Sequence, residues 1–229
     1  MSAQQLDEVF PNIFKARQGG AEYLATRNLT PGRTFYGEPT FTIDGQEYRS
    51  WNPTRSKLAA AIMKGLALQP IKPGSRVLYL GAASGTTVSH VSDVVGEDGH
   101  VWALDFSARS LRDLLDKVSR YRVNVSPMMG DARRPEEYAV LVPRVDVIFS
   151  DVAQPNQAEI MVKNAGLFLK PGGHAMLSIK SRSIDVVGKP SDVYRSQVEV
   201  LEGAGLRVSQ LVSLEPYEKD HAMAIAELA

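Results

Sequence analysis

Residues 77–88 read VLYLGAASGTTV, and this stretch sets the architecture of the chain. Val77 to Leu80 form a short apolar run of the kind that makes a buried strand. A turn of small residues follows, Gly81-Ala82-Ala83-Ser84-Gly85, and Thr86-Thr87 open a helical pattern. In an open α/β sheet, a strand, a small-residue loop and a helix in that order place a ligand at the carboxyl end of the strand. Gly81 and Gly85 allow close backbone approach, and the new helix offers unpaired N–H groups. The next strand candidate, HVWALDF, carries Asp105 at its end, placed to accept hydrogen bonds from the ribose of an adenosine-containing ligand.

What the loop lacks narrows the ligand. Gly81 and Gly85 are four apart with no glycine between, so this is not G-x-G-x-x-G, and no Gly-Lys-Ser/Thr follows to make a P-loop. Nothing here grips a pyrophosphate. A small-residue turn, an acid after the second strand and no phosphate cradle fit S-adenosylmethionine. Loop and acid together favour a cofactor over a glycine turn that serves packing alone.

Composition sets the outer bounds. With 229 residues, 44% hydrophobic and 23% charged, the chain has room for one main domain and a small one. Zero cysteines exclude disulfides, cysteine-ligated zinc and thiol catalysis, and the histidines at 90, 100, 174 and 221 lack metal-ligand spacing. The amino terminus lacks signal-peptide character and no apolar run is long enough for a bilayer, so the expectation is a soluble, cytoplasmic chain with no membrane partner and no metal. The formal net charge is zero, whereas a protein that holds nucleic acid unaided is usually basic. If this chain acts on nucleic acid, other components supply much of the grip.

Two regions separate. Residues 1–53 carry short alternating segments, and FTIDGQEYRSW holds an Asp44-Gly45 hairpin signal. FKARQGGAEYLATRN reads as a second hairpin turning at Gly19-Gly20, so this part is expected to be a small antiparallel β domain. From residue 54 the pattern changes. Leu58, Ile62 and Leu66 recur at helical spacing, with Asn52 as cap and Pro53 at the first helical position. Strands are expected at 76–80, 100–105, 122–128, 145–150, 174–180, 206–214 and 221–227, with helices between, one near 191–203. LKPGG at 169–173 reads as a helix stop and tight turn. The alternation implies a mostly parallel seven-stranded sheet with helices on both faces, a Rossmann-like α/β domain spanning 54–229.

Functional residues of such sheets gather at the carboxyl ends of strands. Those ends supply Gly81, then Asp105-Phe106, Gly130-Asp131-Ala132, Asp151-Val152-Ala153-Gln154, and Lys180. One acid at a strand–helix junction is ordinarily a cap, but Asp105, Asp131 and Asp151 after successive strands point to a shared site. Asp131 is placed for an adenine amino group. Phe106 either packs on that ring or belongs to the core, and the two readings stand level. Lys57 near a helix start opposes the helix dipole, a local conflict of the kind functional positions show. Lys180 ends the strand that begins Ala175-Met176, at the active edge, and Arg55, Arg133, Arg134 and Arg182 fall near it as a basic rim for an RNA backbone. Each of these cations taken singly would read as a solvated surface charge.

Six segments together carry a specific resemblance. WNPTRSKLAAAI at 51–62, VLYLGAASGTTVSHVSD at 77–93, GDAR at 130–133, FSDVAQP at 149–155, SIKSRSID at 178–185 and EPYEKDHA at 215–222 resemble fibrillarin. That family comprises S-adenosylmethionine-dependent RNA 2′-O-methyltransferases of box C/D guide-RNA particles. The resemblance spans nearly the whole chain, and without a Gly/Arg-rich arm it looks like the archaeal form. It departs at Asp105, where many members carry Glu; the shorter acid still reaches ribose hydroxyls.

The resemblance implies the methyltransferase fold, with S-adenosyl-L-methionine as cofactor and pre-rRNA and tRNA as substrates. Its catalytic set of Lys, Asp, Lys and His maps onto Lys57, Asp151, Lys180 and His221. For cofactor contacts it points to Thr86, Thr87, Asp105, Phe106, Asp131, Ala132, Asp151 and Gln154, with Gly81, Val152 and Ala153 in the same loops. Methyl transfer from a sulfonium to a ribose hydroxyl needs in-line approach and loss of one proton. Lys180 is the candidate base with Lys57 as neighbouring cation, Asp151 orients both, and His221 steadies ribose or phosphate. Alternatively water takes the proton and the lysines hold charge. Implied partners are a box C/D guide RNA with its target RNA, a Nop-domain scaffold protein and a kink-turn-binding ribosomal-type protein. Three other readings remain: a base or protein-glutamine acceptor, a nicotinamide oxidoreductase, and a non-catalytic scaffold.

Overall fold

The computed structural model describes residues 5–18 and 21–229. Its first half-hundred residues form an antiparallel sheet of β1 (Gln5–Phe10), β2 (Ile13–Gln18), β3 (Ala21–Arg27), β4 (Thr40–Ile43) and β5 (Gln46–Trp51), ordered β1-β2-β3-β5-β4. Asp44 and Gly45 turn β4 into β5 with φ of 51° and 76°, the left-handed pair that a tight hairpin requires. β2 and β3 pair antiparallel; the expected Gly19-Gly20 turn between them lies outside the described residues.

The second sheet has seven strands ordered β11-β12-β10-β9-β6-β7-β8. These are β6 (Arg76–Leu80), β7 (His100–Asp105), β8 (Val125–Met129), β9 (Val145–Ser150), β10 (Leu169–Lys180), β11 (Leu206–Ser213) and β12 (His221–Leu228). Only β12 runs against its neighbours β10 and β11. From β6 the chain steps outward through β7 to β8, then returns to the other side of β6 as β9. That reversal opens a crevice at the carboxyl ends of β6 and β9, where open α/β sheets hold ligands.

Alternation along the strands sorts the core into two layers. Val77, Tyr79, Val147, Phe149, Met176, Met223 and Ile225 face α1 (Lys57–Met63) and α2 (Thr86–Val95). Leu78, Leu80, Ile148, Leu177 and Ala224 face α4 (Gln157–Phe168) and α6 (Pro190–Gly203). The small sheet packs Ile13, Leu24 and Trp51 into the first layer, so α2 is clamped between the two sheets.

Three local expectations are corrected. Asn52 does not cap α1: its Oδ1 accepts from Thr54 N and Thr54 Oγ1, both at 2.9 Å, which makes a turn through Pro53. Ser56 is the cap, extended at φ −150°, with Oγ accepting from Ala59 N, and Leu66 lies beyond the helix end at Met63. Residues 122–124 are not strand, because Arg122 and Asn124 turn their side chains inward: Asn124 Nδ2 donates to Ser92 O and Gly96 O at 3.0 and 2.7 Å. LKPGG is not a turn ahead of β10 but a bulge inside it. Leu169 already pairs with Val145, pairing resumes at His174 with Val147, and the four residues between loop out opposite Asp146.

Candidate active site

Asp151 follows Phe149 by two residues, Lys180 follows Met176 by four, and His221 precedes Met223 by two. Strand alternation therefore delivers all three to the layer shared with α1. Lys180 and His221 are direct cross-strand partners. Lys57 is the first residue of α1, which lies against β12. The sheet's hydrophobic register thus converges residues from four elements on one spot.

Asp151 is its hub. Lys57 Nζ lies 3.3 Å from Oδ2 and Lys180 Nζ 3.0 Å from Oδ1, while Lys180 Nζ also donates to the Asp151 carbonyl at 2.7 Å. The second ion pair is a charge contact, since Asp151 Oδ1 accepts no hydrogen bond among the described residues. Side chains of this trio are 15–18% exposed, so they are sheltered but reachable. His221 Nδ1 is 2.6 Å from Lys219 O, which fixes that nitrogen as the donor and leaves Nε2 free of it. Below the trio, Tyr79 stacks on Phe149 at 4.7 Å; burial, with the Asp151 charge adding, pushes its hydroxyl well above 10 and keeps it neutral.

Beside the trio lies a cleft of about 260 Å³ running from Gly81 past Asp105, Phe106 and Asp131 to Asp151, Val152, Ala153 and Gln154, with Ala132 in its wall. Gly81 sits at φ +82°, and a Cβ there would come within 3.0 Å of the Asp151 carbonyl group, so only glycine lets the first loop pass the fourth. Asp105 Oδ2 accepts from Ala83 N and Oδ1 from Ser107 N, both at 2.8 Å, which locks the acid in the cleft wall. Ala83 holds φ 48°, a strained value for a non-glycine residue in a ligand loop. Phe106 is 74% exposed, so core packing is ruled out and its ring faces open space. Asp131 is gripped by Arg133 Nε and Nη2, and that hydrogen bonding holds its carboxyl below the usual range.

Thr86 and Thr87 are not part of the cleft wall. They begin α2, where Thr87 Oγ1 donates to Ser56 Oγ at 3.0 Å and ties α2 to the α1 cap. Gly130, read from the sequence as a strand end, also lines the wall, whereas sequence reasoning missed Leu104 and Ile160 and gave Ala83 no role beyond the turn. Ala83 had a signal, since it lies inside the small-residue turn; Ile160 reads only as helix core.

The donor set states which ligand fits. Among the described residues three carboxylates line the cleft, the one cation of its wall is already spent on Asp131, and an exposed aromatic stands at the end of β7. That suits a cationic nucleoside and would repel a pyrophosphate. Among the described residues no group of His, Asp or Glu could hold a metal, and no helix is long and apolar enough to cross a membrane.

Comparison with known proteins agrees with this geometry. The family model described as Fibrillarin matches residues 4–229. A fibrillarin-like rRNA/tRNA 2′-O-methyltransferase of Thermococcus gammatolerans is 54% identical over 217 residues, covering 94% of this chain and 95% of its own. An Aeropyrum pernix fibrillarin solved with natively bound S-adenosyl-L-methionine superposes with a TM-score of 0.90 at 46% identity, covering 99% of this chain and 100% of its own. A chain from a fibrillarin/Nop5p complex gives 0.82 at 42% identity, covering 90% and 94%.

Proposed function

This chain belongs to the fibrillarin family, and from that premise we infer that Lys57, Asp151, Lys180 and His221 carry out its chemistry. The chain is an S-adenosylmethionine-dependent methyltransferase of ribose 2′-hydroxyls in rRNA and tRNA. Its scaffold partner is a Nop-domain protein.

One observation supports the residue assignment above the others: Asp151 belongs both to the cleft and to the lysine pair. A ligand seated along the cleft ends at the same carboxylate that positions two ammonium groups. When bound, S-adenosylmethionine supplies an already activated methyl group, so the protein's work is alignment and proton management. Asp105 and Phe106 hold the nucleoside end, with Asp131 and Gln154 flanking it. Asp151 orients Lys57 and Lys180 through its two oxygens. Lys180, held at the Asp151 carbonyl, takes the proton of the ribose hydroxyl as a free amine, after its own ammonium proton has passed to water. Lys57 keeps a positive charge beside the oxygen as negative charge develops there. His221, opposite Lys180 with Nε2 available, hydrogen-bonds the substrate ribose.

Target selection falls to other molecules in this reading. A guide RNA of box C/D type chooses the nucleotide, and a kink-turn-binding protein completes the particle in the cytoplasm. Zero net charge supports that division of labour, because the enzyme lacks the basic excess of a self-sufficient RNA binder. The test is methyl transfer from labelled S-adenosylmethionine to a target RNA, with the chain alone and with guide RNA and both partner proteins, followed by ribose-specific mapping. Guide-dependent ribose methylation lost in Lys180→Ala supports the reading. Methyl groups on bases, or site-selective turnover by the isolated chain, would overturn it.

A further inference from the structure

Four arginines approach the active edge, and the structure treats one of them differently. Arg133 is paired with Asp131 at 2.6 Å, Arg134 with Glu137 at 3.1 Å and Arg182 with Asp220 at 3.0 Å. Arg55 has no carboxylate partner among the described residues. Its guanidinium lies 4.7 Å above the Tyr36 ring, and one N–H group is engaged, by Tyr36 O at 3.3 Å. The rest of its donors have no acceptor among the described residues.

Arg55 also forms part of a cavity of about 320 Å³ at the junction of the small sheet with α1. Tyr23, Tyr36, Trp51 and Asn52 share its wall. The one acid there, Glu38, is internally consumed: Arg49 Nε holds it at 2.6 Å and the Phe35 and Tyr36 amides donate to it. Trp51 is buried against His90 and Tyr36 lies under Arg55, so the cavity offers the Tyr23 ring, edge-on to Phe41, and a cation with no carboxylate partner among the described residues. It lies next to the catalytic spot, because Arg55 and Lys57 are two residues apart and their Cα atoms can be separated by at most about 7 Å.

Resting on the ribose-methyltransferase reading, we propose that this cavity is an RNA subsite. It receives a nucleotide adjoining the one whose ribose is methylated, with Arg55 on its phosphate and Tyr23 against its base. Aromatic stacking combined with an arginine is how single nucleotides are held without regard to sequence. Such a subsite suits an enzyme whose targets are chosen by base pairing elsewhere. It also gives the small sheet a part in substrate binding, since Tyr23 comes from β3 and Tyr36 from the loop before β4.

The two contacts have separable signatures, because one is ionic and the other is not. In the assembled particle, Arg55→Ala should raise KM for target RNA about tenfold and leave kcat and cofactor affinity unchanged. It should also flatten the dependence of log K on log salt by about 0.7–0.9, the value of one phosphate contact. Arg55→Lys should restore the salt slope and part of the affinity. Tyr23→Leu should weaken RNA binding with the salt slope intact. An unchanged RNA KM in Arg55→Ala, a loss of cofactor affinity, or weakened scaffold binding with normal RNA affinity would each overturn the subsite. Failure of the underlying reading looks different: the wild-type particle would then place no methyl group on ribose.

Discussion

Two clusters of ionised side chains lie on the same side of the large sheet and are built by opposite rules. Between the small sheet and α2, Arg49 and Asp93 are 0% exposed and paired at 2.6 Å. Asp93 also takes Arg122 at 2.5 Å, Thr26 Oγ1 at 2.8 Å and Leu29 N at 3.1 Å, while Arg49 spends its remaining donors on Glu38 and Ser89. At the carboxyl edge, Asp151 holds two lysines at 3.0 and 3.3 Å, part of each side chain reaches solvent, and donors are left over. Near-complete pairing at full burial makes a joint, with Arg122 Nε and Nη1 left without a hydrogen bond among the described residues. Incomplete satisfaction at partial burial leaves groups able to exchange partners or a proton. The contrast explains why removing a charge should have different consequences in the two places.

The largest effect is expected at the open cluster. Lys180→Ala should lower kcat by about 10²–10⁴-fold, the range of a lost general acid–base group, with the unfolding midpoint almost unchanged. Added primary amines should restore part of the rate if Lys180 moves the proton. Rescue that follows the ammonium rather than the free-amine concentration would leave it a charge-holding role and assign the proton to water.

At the closed cluster the expected loss is stability. Asp93→Asn takes the carboxylate partner from buried Arg122 and leaves Arg49 with Glu38 alone, and breaking a buried pair costs roughly 3–5 kcal/mol. Urea unfolding should show that loss, while turnover per folded molecule stays close to wild type. A variant as stable as wild type but slow would break the comparison, because the network would then act on the site through α2.

How much of this was legible in the sequence follows from the same contrast. Asp151 and Lys180 of the open cluster, with Asp105 and Asp131 of the cleft beside it, could be read because they end strands, where the α/β pattern itself says to look, whereas Lys57 stood out only by opposing the helix dipole. The closed cluster was not read at all. Arg49 alternates with Trp51 on β5, and Ser89, His90 and Asp93 sit on a valine-rich helix, so each looks like an ordinary polar residue until the two sheets meet. A signal was there, since α2 is buried along nearly its whole length and its polar residues must then find partners inside. Asn52 misled because Asn-Pro fits a helix start and a turn equally well, and only the competing Ser56 cap decides between them. The turn after β6 was legible down to Gly81, because a positive φ and a close backbone approach leave glycine no substitute.

A smaller effect is expected where the cleft touches the open cluster. Gly81→Ala forces a Cβ to 3.0 Å from the Asp151 carbonyl and strains a left-handed backbone, at a cost of roughly 1–3 kcal/mol. Since the nearest yielding element is the loop that carries Asp151, calorimetric cofactor titration should show at least about tenfold weaker binding if 1.4 kcal/mol or more falls on that loop. An unaltered cofactor affinity would mean that the 151–154 loop is slack, and the open cluster would be less well positioned than its distances suggest.

The smallest effect tests whether the closed cluster is insulated from solvent protons. His90 Nδ1 is 2.7 Å from Thr26 Oγ1, whose hydroxyl donates to Asp93, and Nε2 is 2.7 Å from Tyr36 OH. Burial first, then the charges of Arg49 and Arg122, hold the imidazole well below its ordinary value, so the ring is neutral in the fold. The unfolded chain binds a proton at about pH 6.5 that the folded chain refuses, so stability is full above that pH and declines below it, by at most about 1.4 kcal/mol per pH unit. His100 is lowered too, by burial and Arg76, and adds a slope of the same sign. His90→Asn keeps a donor toward Thr26 and cannot titrate, so its melting midpoint should start lower yet fall less between about pH 7 and pH 5.5. Were it to fall as steeply as wild type, the proton uptake would belong to His100 or to the carboxylates. The network around His90 would then be open to exchange, as the Asp151 cluster is.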